Sequence, residues 1–124
     1  MADDLAFVGA LDRASLAGLL AAASVTIVPS FSETFGIVAL ESAASGTPVI
    51  GYRSGGLSES IAEGVSGVLL GTREPRYWAT ELAVMLEDPD RRATLAVTAR
   101  EHAKRFTWST AADRLLEVYE HVAR

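Results

Sequence analysis

Short β-branched runs alternate with longer amphipathic stretches through the first seventy or so positions, and that alternation is the strongest constraint on the fold. Four runs read as strands: residues 5–8, closed by Gly9; residues 25–28, stopped by Pro29; residues 48–52, opened by Pro48; and residues 67–70. Between them, Asp12 is placed to cap a helix with Leu16, Leu19 and Leu20 on its apolar face. A second helix is predicted over residues 36–44, with Gly46 as its left-handed C-terminal residue. A short third covers residues 57–62. Strands alternating with helices imply an α/β domain around a parallel sheet. From residue 73 onward the chain reads as helix. Tyr77, Leu82, Met85 and Leu86 share one face, Pro89 interrupts, and further helices are predicted over residues 90–104 and 109–122.

With 124 residues there is room for one domain and one core, and so for one principal site. The net charge of −5 and the scattering of the eleven basic residues argue against a binder that tracks nucleic-acid phosphates. The absence of Cys excludes a disulfide scaffold, a thiolate metal site and a cysteine nucleophile, and fits a reducing, cytoplasmic setting. The most apolar stretch, residues 16–28, is too short to span a bilayer, and Asp3 and Asp4 stand where a signal peptide would be basic. Counted with glycine, the apolar share exceeds the usual range for soluble domains and points to surface meant for a partner.

In parallel α/β sheets, ligands sit beyond the C-terminal ends of strands, where loops feed helix N-termini. The loop after Val28 reads SFSETFGIVALESAASGTPVI. It places Glu33 before the helix and Glu41 within it. The N–H groups of Thr34, Phe35, Gly36 and Ile37 would point outward at the positive end of the helix dipole, a setting that suits phosphate. Gly36 carries no Cβ to hold a diphosphate away. Gly55 and Gly56 either bring backbone close to a ligand or make the turn into the next helix, and both readings stand. Glu59 reads as the acid of its helix's first turn. His102 and His121 read as surface residues on helices, and no metal-ligand cluster is visible.

These residues resemble the retaining group 1 glycosyltransferases, enzymes of two Rossmann-like domains (the GT-B fold) that include sucrose-phosphate synthases, bacterial glycogen synthases and mycothiol-pathway transferases. The likeness runs from FVGAL through VPSFSETFGIVALESAASGTPVI, with its E-x7-E element, and GGLSESIAEGVSGVLL to a tail holding Phe106, Trp108 and Tyr119. It implies a Rossmann-like sheet of about four strands with flanking helices and a helical tail, forming over residues 1–124 part of the C-terminal, donor-binding domain. By resemblance, Glu33 binds the donor sugar beside the reacting carbon and Glu41 binds the ribose. Thr34, Phe35, Gly36 and Ile37 contact sugar and diphosphate through their amides, and Gly9, Ala10 and Leu11 lie nearest the base. The partner implied is a UDP-, GDP- or ADP-sugar, with no further cofactor and no metal.

The same resemblance places the acceptor domain and a diphosphate-gripping basic pair before Met1, so the chain alone is expected to be nearly inactive. It also carries the terminal helix back to the other domain. Trp108 and Tyr119 are expected to pack, or else, with Leu115 and Leu116, to be exposed here and to drive self-association. Two rival readings remain open: a non-catalytic binding module, and a sugar-nucleotide epimerase of the same architecture.

Overall fold

Val49 and Ile50 are adjacent in one strand, point to opposite faces of the sheet, and are both fully buried. A strand covered on both sides needs helices on both sides, and the computed structural model, which describes residues 2–124, is built that way. A short 3-10 turn (Ala2–Asp4) is followed by α1 (Arg13–Ala22), β1 (Thr26–Val28), α2 (Ile37–Ala44), β2 (Val49–Tyr52), α3 (Leu57–Ser60) and β3 (Gly67–Leu70). Three helices complete the chain: α4 (Pro75–Glu87), α5 (Pro89–Ala103) and α6 (Trp108–Val122). The sheet is parallel, in the order β1-β2-β3, with Ile27 opposite Ile50 and Ile50 opposite Val68.

Alternate residues of the strands feed two cores. On one face Val28, Val49 and Leu69 pack with Ala39 of α2, Leu57 of α3 and Ile61. On the other, Ile50 and Val68 pack with Met85 of α4 and Leu95 of α5. Helix α5 also lies along α2, so it ties the two layers together. A buried polar pin sets α1 against this frame. Ser42 Oγ donates to Thr47 O at 2.9 Å and is hydrogen-bonded to the Thr26 hydroxyl at 2.7 Å, and Thr47 Oγ1 donates to Leu20 O at the end of α1. Each of these buried hydroxyls is therefore satisfied, which removes the penalty of its desolvation.

Local signals acted as their chemistry dictates. Asp12 caps α1 by accepting from Ser15 N at 2.7 Å, and that bond lowers the pKa of its carboxyl. Gly46 takes the left-handed position after α2, at φ 79°. Pro89 starts a new helix, where its missing N–H is of no consequence.

Four expectations are corrected. Residues 5–8 do not form a strand, so the sheet has three strands and not four; Phe7 is 93% exposed. A parallel strand exists only with a neighbour to complete its ladder, and β1 pairs with β2 on one side while no described strand lies along its other edge. His102 is not a surface residue. It is buried, with Nε2 2.9 Å from Ser60 O and its ring 5.0 Å from that of Phe106. The periodic faces of α1 and α4 are only partly covered: Leu20 and Met85 are buried, whereas Leu19, Tyr77 and Leu86 stay exposed. Helix α6 buries no residue at all, and Trp108, Leu115, Leu116 and Tyr119 face solvent, so the packing role expected of its aromatics is not met.

Because His102 bridges α5 to the last residue of α3 with its ring nitrogen bonded, His102→Ala leaves the Ser60 carbonyl without that partner. A loss of about 1–3 kcal/mol is expected, read as a lower urea midpoint with an unchanged m-value.

Candidate functional site

The loop between Val28 and Ile37 leaves the C-terminal end of β1 and enters α2, which is where a parallel sheet offers its ligand crevice. Glu33 and the four residues after it are consecutive there. Among the described residues no acceptor takes the N–H of Thr34, Phe35, Gly36 or Ile37. The first turn of α2 therefore presents a set of open donors at the positive end of the helix. Glu41 stands four residues along from Ile37, on the same side of α2. Its side chain lines the space between α1 and α2, together with Ala44 and Ser45. Glu33 is partly buried and Glu41 is exposed.

The loop is held from behind by backbone. Gly56 N donates to Glu33 O at 2.9 Å, and Ser54 Oγ donates to Phe31 O at 3.1 Å. A Cβ on Gly55 would stand 2.6 Å from Glu33 O, and one on Gly56 would run into the backbone of Phe35. The pair turns the chain out of β2, and the close approach seen at it is to the backbone of the Glu33 loop.

Gly36 also works differently from expectation. It adopts φ 74°, and a Cβ there would lie 2.7 Å from both Leu57 Cδ2 and Ser60 Oγ of α3. The missing side chain thus lets the start of α2 close on α3, and the room it leaves is filled by protein. Ser60 Oγ beneath it is buried without a hydrogen-bond partner.

Aromatic contacts complete the support. The Phe35 ring meets Phe106 edge-on with centroids 5.9 Å apart, and Phe106 in turn meets His102. The sequence signal for this pair was the four-residue spacing of His102 and Phe106 at the end of α5, which reads equally well as two surface residues when its partners are unknown.

Gly9, Ala10 and Leu11 stand in the exposed segment leading to the Asp12 cap, and Gly9 has φ 66°. Between α1 and α2 is a cavity of about 430 Å³ that Glu41 lines. A second cavity, of about 350 Å³, opens on the other face of β1 around Ile27, Phe31 and Trp78, with the Arg73 guanidinium 3.6 Å above the Phe31 ring. Among the described residues no three His, Asp or Glu side chains converge as metal ligands would, and no helix is long and apolar enough to cross a membrane.

The left-handed backbone and the contact with α3 make a side chain costly at Gly36. Gly36→Ala is expected to lose about 1–2 kcal/mol from backbone conformation alone, and more from the overlap with Leu57, measured by urea denaturation. A variant as stable as the parent chain would contradict this account of the loop.

Comparison with known proteins agrees with this architecture. The family described as "Glycosyl transferases group 1" matches residues 1–102. The D-inositol 3-phosphate glycosyltransferase of Thermobispora bispora is 54% identical over 104 residues, which is 84% of this chain and 24% of that protein. The enzyme of the same description from Nocardiopsis dassonvillei is 51% identical over 107 residues, or 86% and 25%. Among solved structures, the sucrose-phosphate synthase from Thermosynechococcus elongatus superposes with a TM-score of 0.86 at 35% identity, over 97% of this chain and 30% of that one. Anabaena Alr3699/HepE in complex with UDP-glucose gives 0.76 at 31%, over 88% and 30%. The chain spans about a quarter of the length of the curated relatives it matches. Matched in family over most of its length, in sequence and in fold, the chain belongs to the group 1 glycosyltransferases.

Proposed function

We propose that this chain is the donor-binding part of a retaining transferase that moves a hexosyl group from a nucleoside-diphosphate sugar to an acceptor. One observation carries the reading: Glu33, the open amides of residues 34–37 and Glu41 follow one another along the loop and the start of α2, an order that suits a donor's sugar, diphosphate and ribose. Glu33 accepts hydrogen bonds from sugar hydroxyls beside the anomeric carbon. The amides at the head of α2 receive the diphosphate, and the Glu41 carboxylate accepts from the two ribose hydroxyls.

In the transfer, the acceptor oxygen bonds to the anomeric carbon on the face the nucleotide leaves. The bond from that carbon to the diphosphate oxygen breaks, the diphosphate departs with the electron pair, and the acceptor proton passes to it. The group that most needs stabilising is then the departing diphosphate, which fixed backbone dipoles serve without reorganising. The chain spans about a quarter of the length of the curated relatives it matches, so in this reading its own part is to bind the donor. UDP-glucose bound to a structural relative of the same fold supports the class of donor.

The test is calorimetric titration of the chain with UDP, GDP, ADP and UDP-glucose. Glu41→Ala should weaken whichever nucleotide binds by about tenfold, the worth of one charge-assisted contact. Glu33→Ala should erase any difference between UDP-glucose and UDP while leaving UDP unchanged. Failure of every ligand to bind at millimolar concentration would remove the role assigned to this chain.

A second reading, that the chain also docks a further domain or a second copy of itself, is favoured by α6. Trp108, Leu115, Tyr119 and Val122 recur on one helical face, and all are more than half exposed. Sedimentation velocity should show concentration-dependent association that Leu115→Glu with Tyr119→Glu abolishes; a strict monomer at high concentration would count against self-association.

A further inference from the structure

The cavity between α1 and α2 has an aliphatic floor of Leu16, Ala17, Leu20 and Ala44, with the guanidinium-bearing Arg13 and the carboxylate-bearing Glu41 at its sides. Neither charge is engaged by another described residue. Arg13 is the first residue of α1, and the Asp12 cap immediately before it fixes where that helix begins. The polar pin from Thr47 to Leu20 fixes the far end, so the separation of Arg13 from α2 is set by the fold and not by the side chains at the cavity.

On the donor-site reading above, a molecule with its phosphates at the head of α2 and a vicinal diol on Glu41 would carry its next group toward this floor. In a nucleotide that group is the base, flat and largely apolar on its faces, and Arg13 at the side of the cavity is the cation that would meet its edge. A guanidinium only donates, in a planar fork that matches two adjacent acceptors. Guanine offers O6 and N7 side by side, and uracil offers carbonyl oxygens, whereas adenine places an amino donor beside N7.

We infer that Arg13 is a specificity-determining residue that selects a keto base, uracil or guanine, over adenine. The inference rests on the donor-site reading above and adds to it a residue and a direction of preference.

Titration of the full chain with UDP, GDP and ADP, using the parent, Arg13→Ala and Arg13→Lys, decides it, with Glu41→Ala as reference. The parent should bind UDP or GDP about tenfold more tightly than ADP. Arg13→Ala should bring the preferred nucleotide down to the level of ADP while changing ADP less than about twofold, and Arg13→Lys should fall between, since ammonium lacks the planar fork. Arg13 is solvent-exposed at a helix start, and unchanged circular dichroism and urea midpoint would show the variants folded. A parent that binds all three equally, or an Arg13→Ala variant weakened equally for all three, overturns the base-selecting role while leaving the donor site standing. Equal weakening would make Arg13 a contact to ribose or phosphate. No binding of any nucleotide overturns both.

Discussion

Burial of β2 on both faces is the constraint on which the rest depends. Val49 and Ile50 exclude water completely from opposite sides of one strand, and the two cores grow outward from them. A parallel ladder supplies the strand's backbone bonds but leaves both faces to be covered by the intervening helices. Those helices therefore begin at the same end of the sheet. That is why the head of α2, the Gly55–Gly56 turn and the approach to α4 converge where β1, β2 and β3 end.

At that end the loop bearing Glu33 is held from several sides. Gly56 bonds its carbonyl, Leu57 and Ser60 fill the space behind Gly36, and Phe106 braces Phe35 from the end of α5. Each is a small term, of the order of a single hydrogen bond or ring contact. Together they fix backbone amides whose value for binding an anion depends on being already in place when the anion arrives. The glycines here serve protein packing first, and any benefit to a ligand follows from the loop shape they permit.

The strands at residues 25–28, 48–52 and 67–70, the Asp12 cap and the breaks at Gly46 and Pro89 were legible because each depends on its own few residues. So was the grouping of Glu33, Thr34, Phe35, Gly36, Ile37 and Glu41, which are near neighbours in the chain. His102 was misread as surface, because its burial comes from Ser60, forty-two positions away, and no local pattern encodes that. Residues 5–8 have the composition of a strand and remain uncovered, because a strand's stability belongs to its neighbours as much as to itself. Helix α6 shows the same limit: its apolar stripe was plain in the sequence, but whether such a stripe is buried depends on what lies opposite.

The sequence by itself determined the alternation of strands and helices from residue 25 onward, the Asp12 cap, the breaks at Gly46 and Pro89, which acids stand near the head of α2, and the family likeness, since all of these rest on short-range steric and hydrogen-bonding preferences or on contiguous motifs. Only the tertiary structure decided that the sheet has three strands, that Gly36 and Gly56 are required by the backbone and side chains they touch, and that Arg13 shares a cavity with Glu41. Those facts depend on distances between residues far apart in the chain, and such distances are set by how both faces of β2 are covered.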